Sequence, residues 1–118
     1  MIIKGPIGRI AEGGRNWEGF GADPYLDGIL GAQSILGLQE SVIASVKHFV
    51  AYEQETNRNP IGATETASTS ANVDDTTMHE VYLWPFQDAV FAGVGCVMCR
   101  YVFSLFSNSL IPPQPQTH

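Results

Sequence analysis

The chain has 118 residues, which is enough for one small domain or for part of a larger one. Hydrophobic residues make up 44% of it and charged residues 15%, a composition typical of folded proteins and not of disordered ones. The formal net charge is -6 and the six basic residues are scattered, so neither a nucleic-acid partner nor a membrane partner is expected.

The first predicted helix follows a glycine-rich loop over residues 6–24. Apolar residues recur at helical spacing between Asp27 and Glu40. The next apolar run, over residues 42–50, is short and rich in β-branched side chains, which predicts a buried strand. Lys47 and His48 lie near the C-terminal end of this strand, and a long loop is predicted for residues 53–71.

A second helix is predicted to begin at Asp74 and Asp75, where the segment 77–80 resembles a capping box. Pro85 is expected to kink this helix or to restart it as a first-turn proline. Gly93 suits the position after the helix end. Another buried strand is predicted for residues 94–102, and we predict that residues 102–118, rich in proline and glutamine, form a disordered tail.

Two strands separated by a helix predict a parallel βα arrangement, and therefore an α/β fold. A complete (β/α)8 barrel needs about 250 residues, so the chain would supply only a partial (β/α)8, or TIM-like, barrel segment. In such barrels, functional side chains lie at the C-terminal ends of strands and in the loops that follow them. Lys47, His48, Met98 and Tyr101 occupy such positions in the predicted strands.

Cys96 and Cys99 form a single C-x-x-C motif. One such pair supplies only half of a zinc site, and apolar residues surround it. We therefore interpret both residues as small buried thiols on a strand, and we expect no metal and no cofactor. A small metal-binding or redox module remains the alternative.

Three blocks of sequence carry a specific resemblance to a known family. They read GGRNWEGFGADPYLDG (13–28), ASVKHFVAYEQE (44–55) and SANVDDTTMHEVYLWPFQDAVFAGVGCVMCRY (70–101). All three resemble, in the same order, motifs of fungal-type β-glucosidases of glycoside hydrolase family 3. The resemblance assigns residues 5–101 to part of the family's N-terminal barrel domain. It implies an extracellular retaining glycosidase that acts on β-glucosides and cello-oligosaccharides, in the context of cellulose breakdown.

The resemblance also implies roles for individual residues. Arg15, Lys47, His48 and Arg58 correspond to polar residues that line the subsite for the nonreducing glucose. Met98 and Tyr101 correspond to residues near the nucleophile. The family's nucleophile is an aspartate in an S-D-W motif and its acid/base is a glutamate of the next domain, and these 118 residues contain neither motif. The isolated chain is therefore expected to be inactive.

Several alternatives remain open at this stage. Arg15 could simply pair with Glu12 or Glu18 on the surface. The acidic cluster at residues 74–80 is better explained by helix capping than by catalysis. The chain could also be a non-catalytic sugar-binding remnant or a pseudogene product. The loss of resemblance after Tyr101 suggests a frameshift or a retained intron, and the oligomeric state stays open.

Tyr52 departs from the family pattern, which usually has asparagine at this position. Arg100 is a second departure, because it stands beside the expected pocket where the family has a small serine. Both substitutions would change the surroundings of the sugar site.

Overall fold

The structure is a computed structural model, and it describes residues 11, 13–52 and 71–99. A short 3₁₀ helix (Asn16–Glu18) precedes helix α1 (Pro24–Leu38) and strand β1 (Ser45–Phe49). Helix α2 (Asp75–Thr77), a π-helical segment (Met78–Leu83), helix α3 (Trp84–Phe91) and strand β2 (Cys96–Cys99) follow. The predicted loop at residues 53–71 and the predicted tail lie almost entirely outside the described residues.

Helix α1 starts three residues earlier than the apolar pattern predicted, because local capping chemistry fixes its first turn. The Asp23 carboxylate accepts hydrogen bonds from the backbone N–H groups of Tyr25 and Leu26, at 2.9 and 3.3 Å. Pro24 occupies the first helical position, where its missing N–H costs nothing. The apolar spacing located the helix, and these polar residues set its beginning.

The two strands pair in parallel, as the βαβ order predicted. In the register, Ser45 lies opposite Cys96, Val46 opposite Val97, Lys47 opposite Met98, and Phe49 opposite Cys99. The pairing therefore skips His48, which marks an irregularity in β1 of the kind that a β-bulge produces. This irregularity lies at the C-terminal end of the strand, where the sequence placed the candidate site.

The second helical region begins at Asp74, but not through the predicted capping box. Asp74 is the N-cap, since its carboxylate accepts a hydrogen bond from the backbone N–H of Thr77 at 2.9 Å. This bond is the main reason why the pKa of Asp74 lies below its ordinary value. Thr77 is already helical and makes no capping bond, so its assignment as the cap was wrong. Asp74 lies three residues earlier and satisfies the free N–H groups first.

Pro85 restarts the helix, as predicted. It occupies the first turn of α3, directly after the π-helical segment. Proline has no N–H to bond the carbonyl four residues earlier, and a wider π turn accommodates the interruption. Helix α3 then ends before Gly93, whose φ of +76° lies in the left-handed region that glycine tolerates. The prediction for Gly93 is confirmed.

The main core lies where α1, α3 and β1 meet. Its buried members are Ile35, Ala44, Val46, Phe86 and Ala89. Phe86 contacts Phe49 of β1 edge to face, with ring centroids 5.1 Å apart. Helices α1 and α3 approach closely at Gly28, where a Cβ atom would contact the Asp88 carboxylate and lie 3.4 Å from Pro85 Cα. A smaller cluster of Ala51, Met78 and Tyr82 lies beneath the turn after β1.

Two predictions about burial are wrong. Cys96 and Cys99 lie on a strand as predicted, but both thiols are free and exposed. The core is centred on β1, and within the described ranges β2 pairs with β1 alone, so all four of its residues stay accessible. Trp84 was assigned to the core together with Phe86, but it is 42% exposed. Its ring lies edge-on against Tyr25 near the surface, with centroids 6.2 Å apart.

Among the helices that the structure describes, none is long and apolar enough to cross a membrane.

Candidate functional site

Glu18 is the centre of the polar cluster that forms at the C-terminal end of β1. It is the last residue of the 3₁₀ helix, one turn after Arg15. Glu18 Oε1 accepts a hydrogen bond from Arg15 Nε at 2.6 Å, and Oε2 accepts one from Arg15 Nη2 at 2.9 Å. This two-point contact fixes the plane of the guanidinium group as well as its position.

Lys47 reaches the same carboxylate from the strand. Its ammonium group donates a hydrogen bond to Glu18 Oε2, across 29 residues of sequence. The side chains of Lys47 and Glu18 are only 9% and 12% exposed. A lysine is rarely this buried without an anionic partner. The glycine-rich loop and β1 are therefore joined by an ion pair that is largely shielded from water.

The two cations control the ionisation of Glu18. The Arg15 hydrogen bonds, opposed by the partial burial of the carboxyl and aided by Lys47, lower the pKa of Glu18 from 4.5 to about 2. Glu18 is therefore charged at every pH at which the protein is expected to be folded. The cluster holds two positive charges and one negative charge, so it keeps a net positive charge.

Tyr52 links the other candidate residues to this cluster. The His48 ring lies against the Tyr52 ring, with centroids 4.7 Å apart and planes inclined by 55°. The Arg15 guanidinium carbon lies 6.0 Å from the centre of the same ring, at the limit of a cation–π contact. Tyr52 is 6% exposed. Its ring is therefore a buried wall between Arg15 and His48.

The irregularity in β1 explains how adjacent residues join one cluster. In a regular strand, the side chains of Lys47 and His48 would point to opposite faces of the sheet. The sequence therefore predicted that both could serve one site only at a strand end. The register skips His48, which breaks the alternation at this position. Lys47 then contacts Glu18, while His48 contacts Tyr52.

Met98 lies next to Lys47 in the neighbouring strand. The two residues are register partners of the parallel pair, so their Cα atoms share one row of the sheet. Met98 is 41% exposed. The structure thus brings together Arg15, Lys47 and His48, with Met98 adjacent. The two remaining predicted site residues, Arg58 and Tyr101, lie outside the described residues.

The acidic cluster on the second helical region is separate in kind from this site. Asp74 caps the helix. Asp75 and His79 face each other one turn apart, with 3.5 Å between Asp75 Oδ1 and His79 Nδ1, and both side chains are mostly exposed. These contacts support the capping interpretation over a catalytic one. Within the described ranges, no group of three or more potential metal ligands is found.

Two residues of the cluster were not predicted to be part of the site. Glu18 was considered only as a surface partner of Arg15, and Tyr52 was noted only as a departure from the family pattern. The spacing of Arg15 and Glu18 gave a local signal for their pairing. The contact between Glu18 and Lys47 had no signal in the sequence spacing, because it depends on how the loop folds over the strand.

The cluster is suited to binding a polyhydroxylated ligand. Charged ammonium and guanidinium groups donate strong hydrogen bonds to neutral oxygens. An imidazole can donate from one nitrogen and accept at the other, which suits hydroxyl groups. The described cluster offers no carboxylate for attack on a substrate, since Glu18 already bonds two cations. Its chemistry is binding and orientation.

Comparison with known proteins identifies the family. Residues 6–112 match the N-terminal domain of glycosyl hydrolase family 3. The match runs past residue 101, where the resemblance was predicted to end. A relative from Emericella nidulans, described as probable beta-glucosidase M, is 60% identical over 103 residues. The aligned segment covers 84% of this chain and 13% of that protein.

Solved structures agree with this match. A family 3 β-glucosidase from Neurospora crassa superimposes with a TM-score of 0.77 at 46% identity, over 88% of this chain and 14% of that one. A β-glucosidase from Kluyveromyces marxianus in complex with glucose gives a TM-score of 0.70 at 33% identity, over 86% and 12%. The chain thus spans about one eighth of the length of these relatives. From the match over residues 6–112, this chain belongs to glycosyl hydrolase family 3, as part of its N-terminal domain.

Proposed function

We propose that this chain is part of a retaining β-glucosidase and supplies the part of its barrel domain that binds the nonreducing glucose. The substrates would be β-glucosides and cello-oligosaccharides, and the longer protein would be secreted. One observation carries the proposal. Arg15, Lys47 and His48, which the family resemblance assigns to the sugar site, converge through Glu18 and Tyr52 at one end of β1.

The finer architecture belongs to the same proposal. We place β1 and β2 as neighbouring strands of a (β/α)8-like barrel, because they are parallel and joined through a helical connection. The cluster lies at the C-terminal end of β1, the side on which barrel enzymes bind their substrates. Arg58 and Tyr101 would complete the sugar site from the segments after β1 and β2.

Hydrolysis needs two carboxyl groups about 5–5.5 Å apart in a retaining enzyme. The S-D-W aspartate and the acid/base glutamate expected from the family are not among these 118 residues. We therefore predict that the 118-residue chain alone does not hydrolyse p-nitrophenyl β-glucoside or cellobiose. Turnover that copurifies with this chain and disappears in Lys47→Met would contradict this prediction.

The first experiment is to sequence the genomic locus and its transcripts downstream of the Tyr101 codon. The proposal expects an S-D-W motif in a continuous or spliced frame. The complete product should then hydrolyse β-glucosides faster than β-xylosides, and the activity should appear in the culture medium. A complete transcript without that motif would favour the sugar-binding remnant instead, and would overturn the enzymatic proposal.

A graft tests the segment itself. Residues 11–99 of this chain replace the matching segment of the Neurospora crassa β-glucosidase, which supplies the rest of the protein. The graft should hydrolyse β-glucosides, and Lys47→Met should reduce kcat/KM on the order of 100-fold because a substrate-orienting contact is lost. A folded graft that binds no glucose would contradict the assignment of this segment to the sugar site.

A further inference from the structure

Glu18 has a role that its position on the loop does not suggest. Its carboxylate bonds two cations that come from different parts of the chain. Arg15 lies on the same loop, whereas Lys47 lies on the strand. Neither cation is far from the other, since both contact one carboxylate. Without an anion between them, the two like charges would repel each other and would favour positions closer to water.

The geometry restricts both partners. Arg15 is held at two nitrogens, with distances of 2.6 and 2.9 Å, so its planar group has one orientation. The Lys47 side chain is flexible by nature, but here it is 9% exposed and anchored at its end. Ordering these two long side chains before a ligand arrives removes part of the entropy cost of binding.

The contact leaves binding capacity on the lysine. An ammonium group has three N–H donors, and among the described contacts Lys47 uses one of them for Glu18. The other two are available to ligand oxygens. Glu18 therefore orients the ammonium group without saturating it, and its negative charge offsets part of the cost of burying Lys47.

We propose that Glu18 is a positioning residue, whose carboxylate holds Arg15 and Lys47 in the arrangement that binds the hydroxyl groups of the sugar. This inference rests on the proposed function, since it assigns Glu18 to the same site. Glu18 itself need not contact the substrate, because both of its oxygens face the two cations.

The graft described above provides the test, since activity requires the remainder of the enzyme. The measurement is kcat and KM for p-nitrophenyl β-glucoside, with the inhibition constant for glucose. Glu18→Gln keeps the shape of the side chain but removes its charge. We expect KM and the glucose inhibition constant to rise on the order of tenfold, and kcat/KM to fall on the order of 100-fold.

Two further variants separate positioning from general stability. Glu18→Asp keeps the charge on a shorter side chain and should recover part of the lost kcat/KM. In a Lys47→Met background, Glu18→Gln should cost less than about threefold, because the group through which Glu18 acts is already gone. A purely structural residue would lower the yield and the Tm of the graft while leaving the KM of the folded fraction unchanged.

The outcomes distinguish the two proposals. If the unmodified graft has no activity and binds no glucose, the proposed function fails before Glu18 is tested. If the graft is active and Glu18→Gln leaves KM and kcat/KM unchanged, the positioning role is wrong and the proposed function stands. If the effects of Glu18→Gln and Lys47→Met simply add, Glu18 does not act through Lys47, and the inference is overturned.

Discussion

Acid should weaken this protein in a way that depends on Glu18. The pKa of its carboxyl is lowered from 4.5 to about 2, mainly by the hydrogen bonds from Arg15. A group whose pKa is lower in the folded state than in the unfolded state stabilises the fold above its unfolded pKa. The gap corresponds to about 3 kcal/mol, fully present above pH 4.5 and lost progressively as the pH falls to about 2.

The assay is urea unfolding of the 118-residue chain and of its Glu18→Gln variant, at several pH values between 7 and 2. The other carboxyl groups contribute equally to both chains, so the difference in the free energy of unfolding isolates Glu18. We expect this difference to shrink by about 3 kcal/mol on acidification. Glu40→Gln removes the same charge from an exposed position and controls for the change in net charge. A difference that stays constant between pH 7 and pH 2 would refute the reasoning.

Three further predictions concern the fold. The Gln39 amide donates to the Gly93 carbonyl at 2.9 Å and accepts from the Gly95 N–H at 2.7 Å; Gln39→Met should therefore speed amide exchange at Gly95 about fivefold, as expected for a lost bond of about 1 kcal/mol. Gln39→Glu should be less stable at pH 7 than at pH 4, because its carboxylate faces that carbonyl, and equal stability at both pH values would contradict this. Asp23→Ala should cost about 1 kcal/mol in urea unfolding and Asp23→Ser much less, unless the cap is unimportant and both variants match the original chain. Ile35 is fully buried, so Ile35→Ala should cost about 2–5 kcal/mol and Ile35→Val about 1, and equal losses would show that no cavity forms.

The sequence predicted those features of the fold that depend on local chemistry. Apolar spacing located α1, and the short β-branched run located β1. Pro85 and Gly93 marked the restart and the end of the second helix, because their backbone restrictions act wherever the chain places them. The capping residue was off by three positions, because Asp74 and Thr77 are both good caps and the sequence does not show which N–H groups are left free.

Burial could not be predicted in the same way, because it depends on which elements cover one another. Cys96 and Cys99 are small residues in an apolar setting, which is typical of a core. The core forms around β1 instead, and β2 lies at its margin with both thiols exposed. Trp84 and Phe86 are two residues apart on one helix and therefore point in different directions, so only Phe86 reaches the core.

The sequence by itself determined the family, the candidate cations and their place at the end of a strand. Motif order and residue type are properties of the chain and need no coordinates. Only the tertiary structure decided what holds those cations: Glu18 meets Lys47 across 29 residues, and Tyr52 lies between Arg15 and His48. Contacts of this range depend on how the loop folds over the strand, and pairing by charge alone does not specify which of several acids a lysine will meet.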